Sequence, residues 1–217
     1  MDLLLSSAYL APVHYYSVLY AFGKARIEQY DHYLKQTYRN RCVIATADGP
    51  LALSVPVTLL PAAKTPMRDV RISDHGNWRH LHWNALTSAY ENSPFFEYYA
   101  DDFRPFYERP YTYLIDFNEA IHEKVCELIR LDVRTERTTA FADVQAETAD
   151  FRERIHPKRS WDDDPFFVPR PYYQVFSRRN GFLPNLSIAD LLFNMGPESI
   201  LVLRDSLRPG TEKNSRP

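Results

Sequence analysis

The sequence of 217 residues has few of the residues on which several common kinds of site depend. It contains only two cysteines, Cys42 and Cys126, which excludes a disulfide framework and suits a reducing compartment. Its six glycines form neither a phosphate-binding loop nor a dinucleotide-binding glycine motif. No apolar run approaches the roughly 18 residues that indicate a transmembrane helix.

Charged residues of the two signs nearly balance in this chain. Its 26 lysines and arginines and 28 aspartates and glutamates give a net charge of −2. This balance argues against a general affinity for nucleic acid or for an anionic membrane surface. Residues 1–8 carry no basic start and only a short apolar run, so they lack the pattern of a signal peptide. We therefore expect a cytoplasmic protein that neither binds nucleic acid nor inserts into a membrane.

The usual spacings of metal ligands are also missing. The sequence has no His-Glu-x-x-His or Cys-x-x-Cys pattern, so we expect no metal site. No motif in the sequence identifies a cofactor. The acidic triplet Asp162–Asp164 is the remaining candidate for binding a divalent cation. Because three adjacent side chains cannot all point inward, a solvated acidic turn is the favoured interpretation.

The succession of strand-like and helix-like patterns predicts an α/β protein, with a mixed α+β arrangement as the alternative. Residues 3–5 are typical of a first strand, and residues 12–22 of a helix that begins with Pro12 and that Gly23 ends. Further strands are predicted at 25–28, 42–47, 51–58, 70–72 and 132–137. Further helices are predicted to begin near Trp78, Ser93, Thr112 and Ser187.

One domain accounts for this pattern. Residues 1–208 are expected to form it, with a small mixed sheet and several amphipathic helices, and residues 209–217 to form a flexible tail. Periodicity fails from 138 to 184, where aromatic residues and prolines are frequent. A stretch this long without periodicity in a compact domain indicates a binding loop or lid, or partial disorder.

The most unusual stretch of the sequence is Tyr30–Arg41, called the basic segment below. Lys35, Arg39 and Arg41 place three cations within seven residues, against Asp31 as the only acid. Arginine is shaped for bidentate contacts with phosphate or carboxylate, and lysine acts as a point charge. Amides and stacking rings complete the set: Tyr30, Tyr33, Gln36, Tyr38 and Asn40. The set predicts an anionic, ring-containing ligand such as a nucleotide-sugar; the alternative is a solvated basic loop over half-packed tyrosines.

Three other side chains have both a functional and a structural interpretation. His82 lies on the apolar stripe of a predicted helix, where it is a general base or, more often, a hydrogen-bonded core histidine. Tyr9 follows the first strand and either lines a pocket or joins the core. Cys42 adjoins Arg41, which would favour a thiolate nucleophile, although a small buried strand residue is the more frequent role. The stripe of His82 also contains Trp78, Leu81, Ala85, Leu86 and Ala89.

Several phrases along the chain resemble the WbqC-like family of bacterial proteins, and together they cover nearly its full length. They are Ala8–Pro12, Lys35–Arg41, Trp78–Trp83 with Tyr90 and Ser93–Phe96, His156–Lys158, Tyr173–Phe176 and Gly181–Asn194. The opening departs from the family, in which a Gln-Pro-Tyr-Phe-Pro phrase is common, whereas Ser7–Pro12 stands here. A ligand contact made by that opening would therefore differ in this chain.

The resemblance implies a role in the biosynthesis of surface polysaccharide (O-antigen), with transfer of an acyl or aminoacyl group to an amino sugar, and the composition of the basic segment predicts that this sugar is nucleotide-linked. It also implies that the aperiodic loop is a folded part of the site. His82 is then the candidate base, and Lys158 or Asn40 the group that stabilises the oxyanion. The candidate substrate-binding residues are Tyr9, Lys35, Gln36, Tyr38, Arg39, Arg41 and Gln174.

A non-catalytic protein is the alternative. It would bind a sugar nucleotide, or act as an assembly partner for other polysaccharide enzymes through the aromatic loop from Trp161 to Phe182. The sequence carries no motif for an acyl donor, so a donor would have to be carrier-bound or held in a pocket of another kind.

Overall fold

The computed structural model describes residues 2–60 and 64–210. Eight strands lie within these ranges: β1 Asp2–Ser6, β2 Lys24–Glu28, β3 Arg41–Thr46, β4 Gly49–Ser54, β5 Val57–Thr58, β6 Arg71–Ile72, β7 Arg134–Arg137 and β8 Thr148–Asp150. Seven α-helices lie there too: α1 Val13–Phe22, α2 Trp78–Tyr90, α3 Phe96–Glu108, α4 Leu114–Leu128, α5 Ser177–Asn180, α6 Ile188–Met195 and α7 Ser199–Asp205. Apart from residues 209 and 210, the predicted flexible tail lies outside the described residues.

A four-stranded, entirely parallel sheet with the order β7-β2-β1-β8 forms the centre of the fold. In its register, Leu3 of β1 lies opposite Ala25 of β2 and Ala149 of β8. The predicted α/β class is confirmed, with several helices and a single domain. The sequence pattern does not predict the strand order, because long connections separate β2 from β7 and β7 from β8.

Helix α1 connects the two central strands and is buried on nearly every side. Pro12 precedes its first turn in an extended conformation, so the helix begins one residue later than predicted. Gly23 ends the helix as predicted, with a φ of 68°, and its N–H donates to the carbonyl of Leu19. A helix buried all round has no polar face, which accounts for the absence of acidic residues, lysine and arginine from Val13–Phe22.

Strands β3 and β4 form the predicted antiparallel hairpin. Gly49, at the turn, has a φ of 105°, a conformation that favours glycine. The returning strand ends at Ser54, close to Pro56, where the sequence indicates an end or a bulge. Residues 57–58 then form β5, which pairs with β6 and not with β3. Proline lacks the N–H that a continuing ladder would need.

Two details of the central helices differ from the prediction. Leu81, expected on the buried side of α2, is 59% exposed, because the buried stripe runs through positions 78, 82, 86 and 89. Helix α3 begins at Phe96 and not at Ser93–Pro94. The Ser93 hydroxyl donates to the carbonyl of Tyr90 at 2.7 Å, so this serine follows and closes α2 instead.

The aperiodic region from 138 to 184 is folded, although it contains little regular structure. The sequence does not predict β8, because Thr-Ala-Asp has neither an apolar run nor an alternation. Phe151 and Phe167 of this region are buried. Asp164 is also buried and accepts N–H groups of Phe166 and Phe167, so the acidic triplet is not wholly solvated. Within the described residues, no group of three or more His, Cys, Asp or Glu side chains is placed to hold a metal ion.

Aromatic side chains fill much of the core where α2, α3 and α6 meet. Phe103 and Phe193 are fully buried, and the ring of Phe193 makes edge contacts with those of Phe96 and Phe103 at centroid distances of 5.1 Å. Such pairs contribute about 0.5–1.5 kcal/mol beyond the area they bury. None of the described helices is both long and apolar enough to cross a membrane.

Candidate functional site

The carboxyl ends of the parallel strands gather polar side chains into one place. From β1 the chain passes through α1 to β2 on one side, whereas β8, the last strand in the chain, lies on the other side of β1. The strand order therefore reverses between β1 and β8. In open α/β sheets, ligands bind outside the carboxyl ends of the strands at such a reversal. Ser6 and Asp150, which end these two strands, mark that place here.

A narrow crevice opens at this reversal, with a volume of about 10 Å³, which is room for about one water molecule. Its floor is the end of β1, and its two walls come from the basic segment and from the residues that follow β8. Ser6, Ser7, Tyr15, Tyr38, Arg39 and Arg152 are among the residues that line it. Part of the basic segment thus lies where the sheet topology predicts a ligand.

Arg39 points into the protein beside the crevice and is already paired. Its side chain is 3% exposed, and its Nη2 donates to Oδ2 of Asp31 and, at 3.0 Å, to Oε1 of Glu153. Burial raises the pKa of Asp31, and the adjacent Arg39 guanidinium opposes that rise. Arg39 therefore lies at the candidate site with its charge balanced by two carboxylates.

A second arginine, Arg152, crosses the same edge of the sheet. Its Nε and Nη2 donate to the two oxygens of Asp150 at 3.1 and 2.9 Å, and its Nη1 lies 3.4 Å from Oε2 of Glu28. Glu28 is fully buried and also accepts the N–H groups of Tyr30 and Ala142, each at 2.8 Å. Both arginines are thus held by carboxylates that tie the walls of the crevice to the sheet.

Three buried polar atoms, on Arg39 and on two residues that bond it, have no hydrogen-bond partner among the described residues. They are Asp31 Oδ1, Arg39 Nε and Asn118 Oδ1. The Asn118 amide nitrogen donates to Ser7 Oγ at 2.9 Å and to the carbonyl of Arg39 at 2.8 Å, which orients its oxygen. A buried unpaired group costs about 1–3 kcal/mol, so one donor and two acceptors are available to a ligand or to ordered water.

Three exposed candidates, Lys35, Gln36 and Lys158, adjoin the lining of the crevice and are called its rim, and a fourth, Tyr38, lies in its wall. Lys158 Nζ donates to Gln36 Oε1 at 2.6 Å, which joins two exposed residues 122 positions apart in the sequence. Gln36 has a φ of 60°, in the left-handed region. Lys35, beside it, is exposed. Tyr38 is half-buried in the crevice wall, and burial raises its pKa to about 12.

Asn40 and Arg41 contact the hairpin instead of the crevice. The Asn40 amide donates to the carbonyl of Val55 at 2.7 Å, and the Val55 N–H donates to the Asn40 carbonyl at 2.8 Å. Arg41 Nε donates to Ser54 Oγ at 3.0 Å. The structure does not bring these two side chains to the other candidates, and their roles at a site stay predictions.

Tyr9 and His82 form a hydrogen-bonded pair in the core. Tyr9 is 0% exposed, and its hydroxyl lies 3.0 Å from His82 Nδ1 and 2.8 Å from the Tyr107 hydroxyl. Burial lowers the pKa of His82 to about 4, against the opposing effect of a bond to the backbone of Ser54. These surroundings match the structural interpretation of both residues. Their roles as base and pocket wall stay predictions.

Gln174 and Cys42 are likewise buried. The Gln174 amide pairs with the backbone N–H and carbonyl of Leu183, both at 2.9 Å, and donates to Asp190 at 3.2 Å. Burial raises the pKa of Asp190 to about 6. Cys42 is sealed within β3, where burial raises the pKa of its thiol. The surroundings of Cys42 are those of a buried strand residue and do not favour a thiolate nucleophile.

Sequence reasoning did not select Ser6, Glu28, Asn118 or Arg152. A signal existed for the first two, because Ser6 follows and Glu28 ends a strand that the sequence predicts, and the ends of neighbouring parallel strands share one edge. Asn118 and Arg152 carry no such signal. Asn118 contacts Ser7 and Arg39 from α4, and Arg152 lines the crevice two residues after β8, a strand that the sequence does not reveal.

The model of the WbqC-like protein family matches residues 7–159. The chain belongs to this family. It is also similar to the uncharacterized protein Rv1507c of Mycobacterium tuberculosis (strain ATCC 25618 / H37Rv), with 29% identity over 199 residues that cover 79% of this chain and 84% of that protein. No solved structure matches.

The region matched to the WbqC-like family contains both walls of the crevice. It spans the basic segment, the carboxylate partners of Arg39 and the rim residue Lys158. Gln174 and its partner Asp190 lie beyond the matched residues. The match thus covers both walls of the crevice but not Ser6 at the end of β1.

Proposed function

We propose that this chain transfers an acyl or aminoacyl group to the amine of a nucleotide-linked amino sugar in surface-polysaccharide biosynthesis, with the crevice beside Arg39 as the acceptor site. The observation that carries the proposal is the set of unpartnered buried atoms on Asp31, Arg39 and Asn118. They lie at the sheet edge where α/β folds bind ligands. The amino sugar and the polysaccharide are inferred from the family resemblance.

The unpartnered atoms suit a sugar better than a phosphate. Asp31 Oδ1 and Asn118 Oδ1 accept hydrogen bonds, and Arg39 Nε donates one. An amine or hydroxyl on a sugar ring can donate to the two oxygens, and a neighbouring hydroxyl can accept from the guanidinium. A phosphate has no hydrogen to donate and would meet the negative charge of Asp31. Arg39 is therefore proposed to hold the sugar and not the diphosphate.

The diphosphate is proposed to lie on the rim, where Lys35 and Lys158 are exposed. Lysine is an effective phosphate ligand as a point charge. Because the crevice is narrow, a sugar ring enters only when its walls separate. The exposed hydrogen bond between Lys158 and Gln36 is one tie between these walls, and a phosphate that competes for Lys158 would release it.

Asp31 is the group proposed to accept the proton. The amine nitrogen attacks the acyl carbonyl, its proton passes to Asp31, and the leaving group departs with the electrons of the broken acyl bond. A carboxylate whose pKa is raised by burial is a stronger base than an exposed one. The predicted oxyanion role of Lys158 is not part of this step, because its ammonium is proposed to bind the diphosphate. His82 is not included, because its ring is buried in the core.

The test combines binding and turnover on the full chain. UDP-glucosamine, which has a free amine, and UDP-glucose are compared in thermal unfolding, and turnover is measured with acetyl-coenzyme A. A ligand at about 100 times its dissociation constant adds roughly 2.7 kcal/mol, which raises the midpoint by about 5–10 °C for a chain of this length. Asp31→Asn should keep the thermal shift and lower turnover by about 10²–10⁴-fold. The control, Asp69→Asn, changes a half-exposed acid in another segment. Unchanged turnover in Asp31→Asn would contradict the assignment.

A non-catalytic nucleotide-sugar-binding or assembly protein is the second candidate. The observation in its favour is that both charged side chains lining the crevice, Arg39 and Arg152, are already held by carboxylates. In that case UDP-glucosamine would raise the unfolding midpoint equally in the native chain and in Asp31→Asn, and acetyl-coenzyme A would give no product with either.

A further inference from the structure

His156 lies beside the crevice and has no role in the transfer step proposed above. It is half-buried and directly follows Ile155, which lines the crevice. Glu153, three residues earlier in the same wall, accepts a hydrogen bond from Arg39 Nη2 at 3.0 Å. The guanidinium of Arg39 is also close enough to affect the pKa of His156. The imidazole of His156 is therefore near the place where the amine is proposed to react.

The neighbouring backbone fixes the hydrogen-bonding pattern of this ring. The N–H of Lys158 donates to His156 Nδ1 at 3.0 Å. Nδ1 is therefore an acceptor, and in the neutral ring the proton is on Nε2. Within residues 2–60 and 64–210, no group accepts a hydrogen bond from Nε2. The ring thus has one donor that remains available to a ligand.

The surroundings of this imidazole favour its neutral form near pH 7. Burial lowers the pKa of His156 from the ordinary value of 6.5, although the carboxylate of Glu153 opposes this effect. Three cations lower the pKa further: Arg159, Lys158 and Arg39. A neutral imidazole with its proton on Nε2 is a donor at that nitrogen and not a base. His156 therefore complements Asp31, which is proposed to accept the proton of the amine.

We propose that His156 is a further catalytic residue of the transfer reaction, in which its Nε2–H donates to the oxygen of the acyl carbonyl. This inference rests on the proposed function, in which the oxyanion has no other assigned donor. A neutral imidazole can polarise a carbonyl group in this way without giving up its proton. One short turn, residues 156–158, then contacts the acyl group through His156 and the diphosphate through Lys158.

The step is written for an acyl thioester as the donor. The amine nitrogen forms a bond to the carbonyl carbon, and the π electrons of the carbonyl move to its oxygen. His156 Nε2–H donates to this oxyanion and keeps its proton, while Asp31 takes the proton of the amine. The carbonyl then re-forms, the C–S bond breaks, and the thiolate leaves with the electron pair of that bond. Asp31 returns its proton to the thiolate or to water.

Two substitutions in the full chain separate this role from the role of His156 in the turn. The amide oxygen of Asn can replace Nδ1 as the acceptor, but Asn places no group at the position of Nε2. Gln does the reverse, because its amide nitrogen reaches the position of Nε2 and leaves no acceptor at Nδ1. With UDP-glucosamine and acetyl-coenzyme A, His156→Asn should lower kcat about 10²–10³-fold and leave KM for UDP-glucosamine within about threefold. His156→Gln should keep kcat within about tenfold of the native value.

The control is His75→Asn, which changes an exposed histidine in another segment and should leave kcat within about twofold. Thermal unfolding of each variant shows whether it is folded. Nitrogen NMR of the native chain gives a readout that does not depend on turnover, and the His156 resonances are assigned by their absence from His156→Gln. At neutral pH the ring of His156 should carry its proton on Nε2 and none on Nδ1.

Native turnover with an equal kcat in His156→Asn would overturn the role of His156 and leave the transfer reaction standing. A lower kcat in His156→Gln than in His156→Asn would also overturn it, because the turn and not the donor would then be what matters. A proton on Nδ1 of the native chain would overturn the hydrogen-bonding pattern that the role requires. Absence of product from the native chain would overturn the transfer reaction and the role of His156 together.

Discussion

Replacing Arg39 by methionine is expected to destabilise this protein strongly, because it removes the partner of a buried carboxylate. Arg39 is 3% exposed and its Nη2 bonds both Asp31 and Glu153. Asp31 is itself largely buried, whereas the Glu153 side chain is 48% exposed and can return to water at little cost. Removing one partner of a buried pair typically costs about 3–5 kcal/mol.

That free energy corresponds to a large change in the unfolding temperature. The entropy of unfolding is roughly 2.1 cal/mol/K per residue, so a chain of this length has about 0.46 kcal/mol/K. Arg39→Met should therefore lower the midpoint by about 7–11 °C in calorimetry, and lower the urea midpoint without a change in m value. The control is Lys35→Met in the same segment, an exposed change that should stay within about 0.5 kcal/mol.

The double variant Arg39→Met with Asp31→Asn separates the charge from the packing. Neutralising Asp31 removes the unpaired buried charge, so the double variant should be more stable than Arg39→Met alone by about 2 kcal/mol. A cost below about 1 kcal/mol for Arg39→Met would refute the reasoning that the pair is desolvated. A double variant no more stable than the single one would show that the loss comes from packing and not from charge.

Three further predictions concern buried titratable groups. Burial lowers the pKa of His82 from 6.5 to about 4 on folding, so the unfolded chain binds this proton more tightly than the folded chain. The free energy of unfolding should therefore fall on the order of 3 kcal/mol as pH drops from about 6.5 to 4. His82→Gln should reduce this pH dependence in urea titrations at several pH values. Asp190 affects the pH dependence of stability in the opposite direction, because burial raises its pKa from 3.8 to about 6. Its contribution makes the protein less stable as pH rises from about 4 to 6. Asp190→Asn should remove that part of the pH dependence. An unchanged slope in either variant would contradict the corresponding pKa shift. Cys42 should react with a thiol reagent only after denaturation, tested in a Cys126→Ser background; rapid modification of the folded chain would contradict its burial in β3.

Patterns within a short stretch of sequence were sufficient for much of the secondary structure. The helix ended by Gly23 and the hairpin turned at Gly49 depend on turn and capping chemistry that neighbouring residues carry. Strand β8 was not predicted, because its three residues lack periodicity and form a strand only by pairing with β1. Ser93 was assigned to the wrong helix because its hydroxyl can bond backward to Tyr90 as well as forward.

The candidate site was also predicted only in part from the sequence. Composition alone identified the basic segment as unusual. It did not distinguish Lys35, Arg39 and Arg41 as candidates for contact with a ligand. In the structure one is exposed, one is buried against two carboxylates and one bonds the hairpin. The direction of each side chain depends on what packs against the segment, and those partners come from distant parts of the chain.

The sequence by itself determined the α/β class, most strand and helix positions and the family, because these depend on periodicity, turn residues and matching phrases. Only the tertiary structure decided the strand order and the place of the crevice. It also decided that Tyr9 and His82 pair in the core while Gln36 and Lys158 meet at a rim. The physical reason is that burial and charge pairing are properties of contacts between distant residues, and a sequence records those residues without recording their contacts.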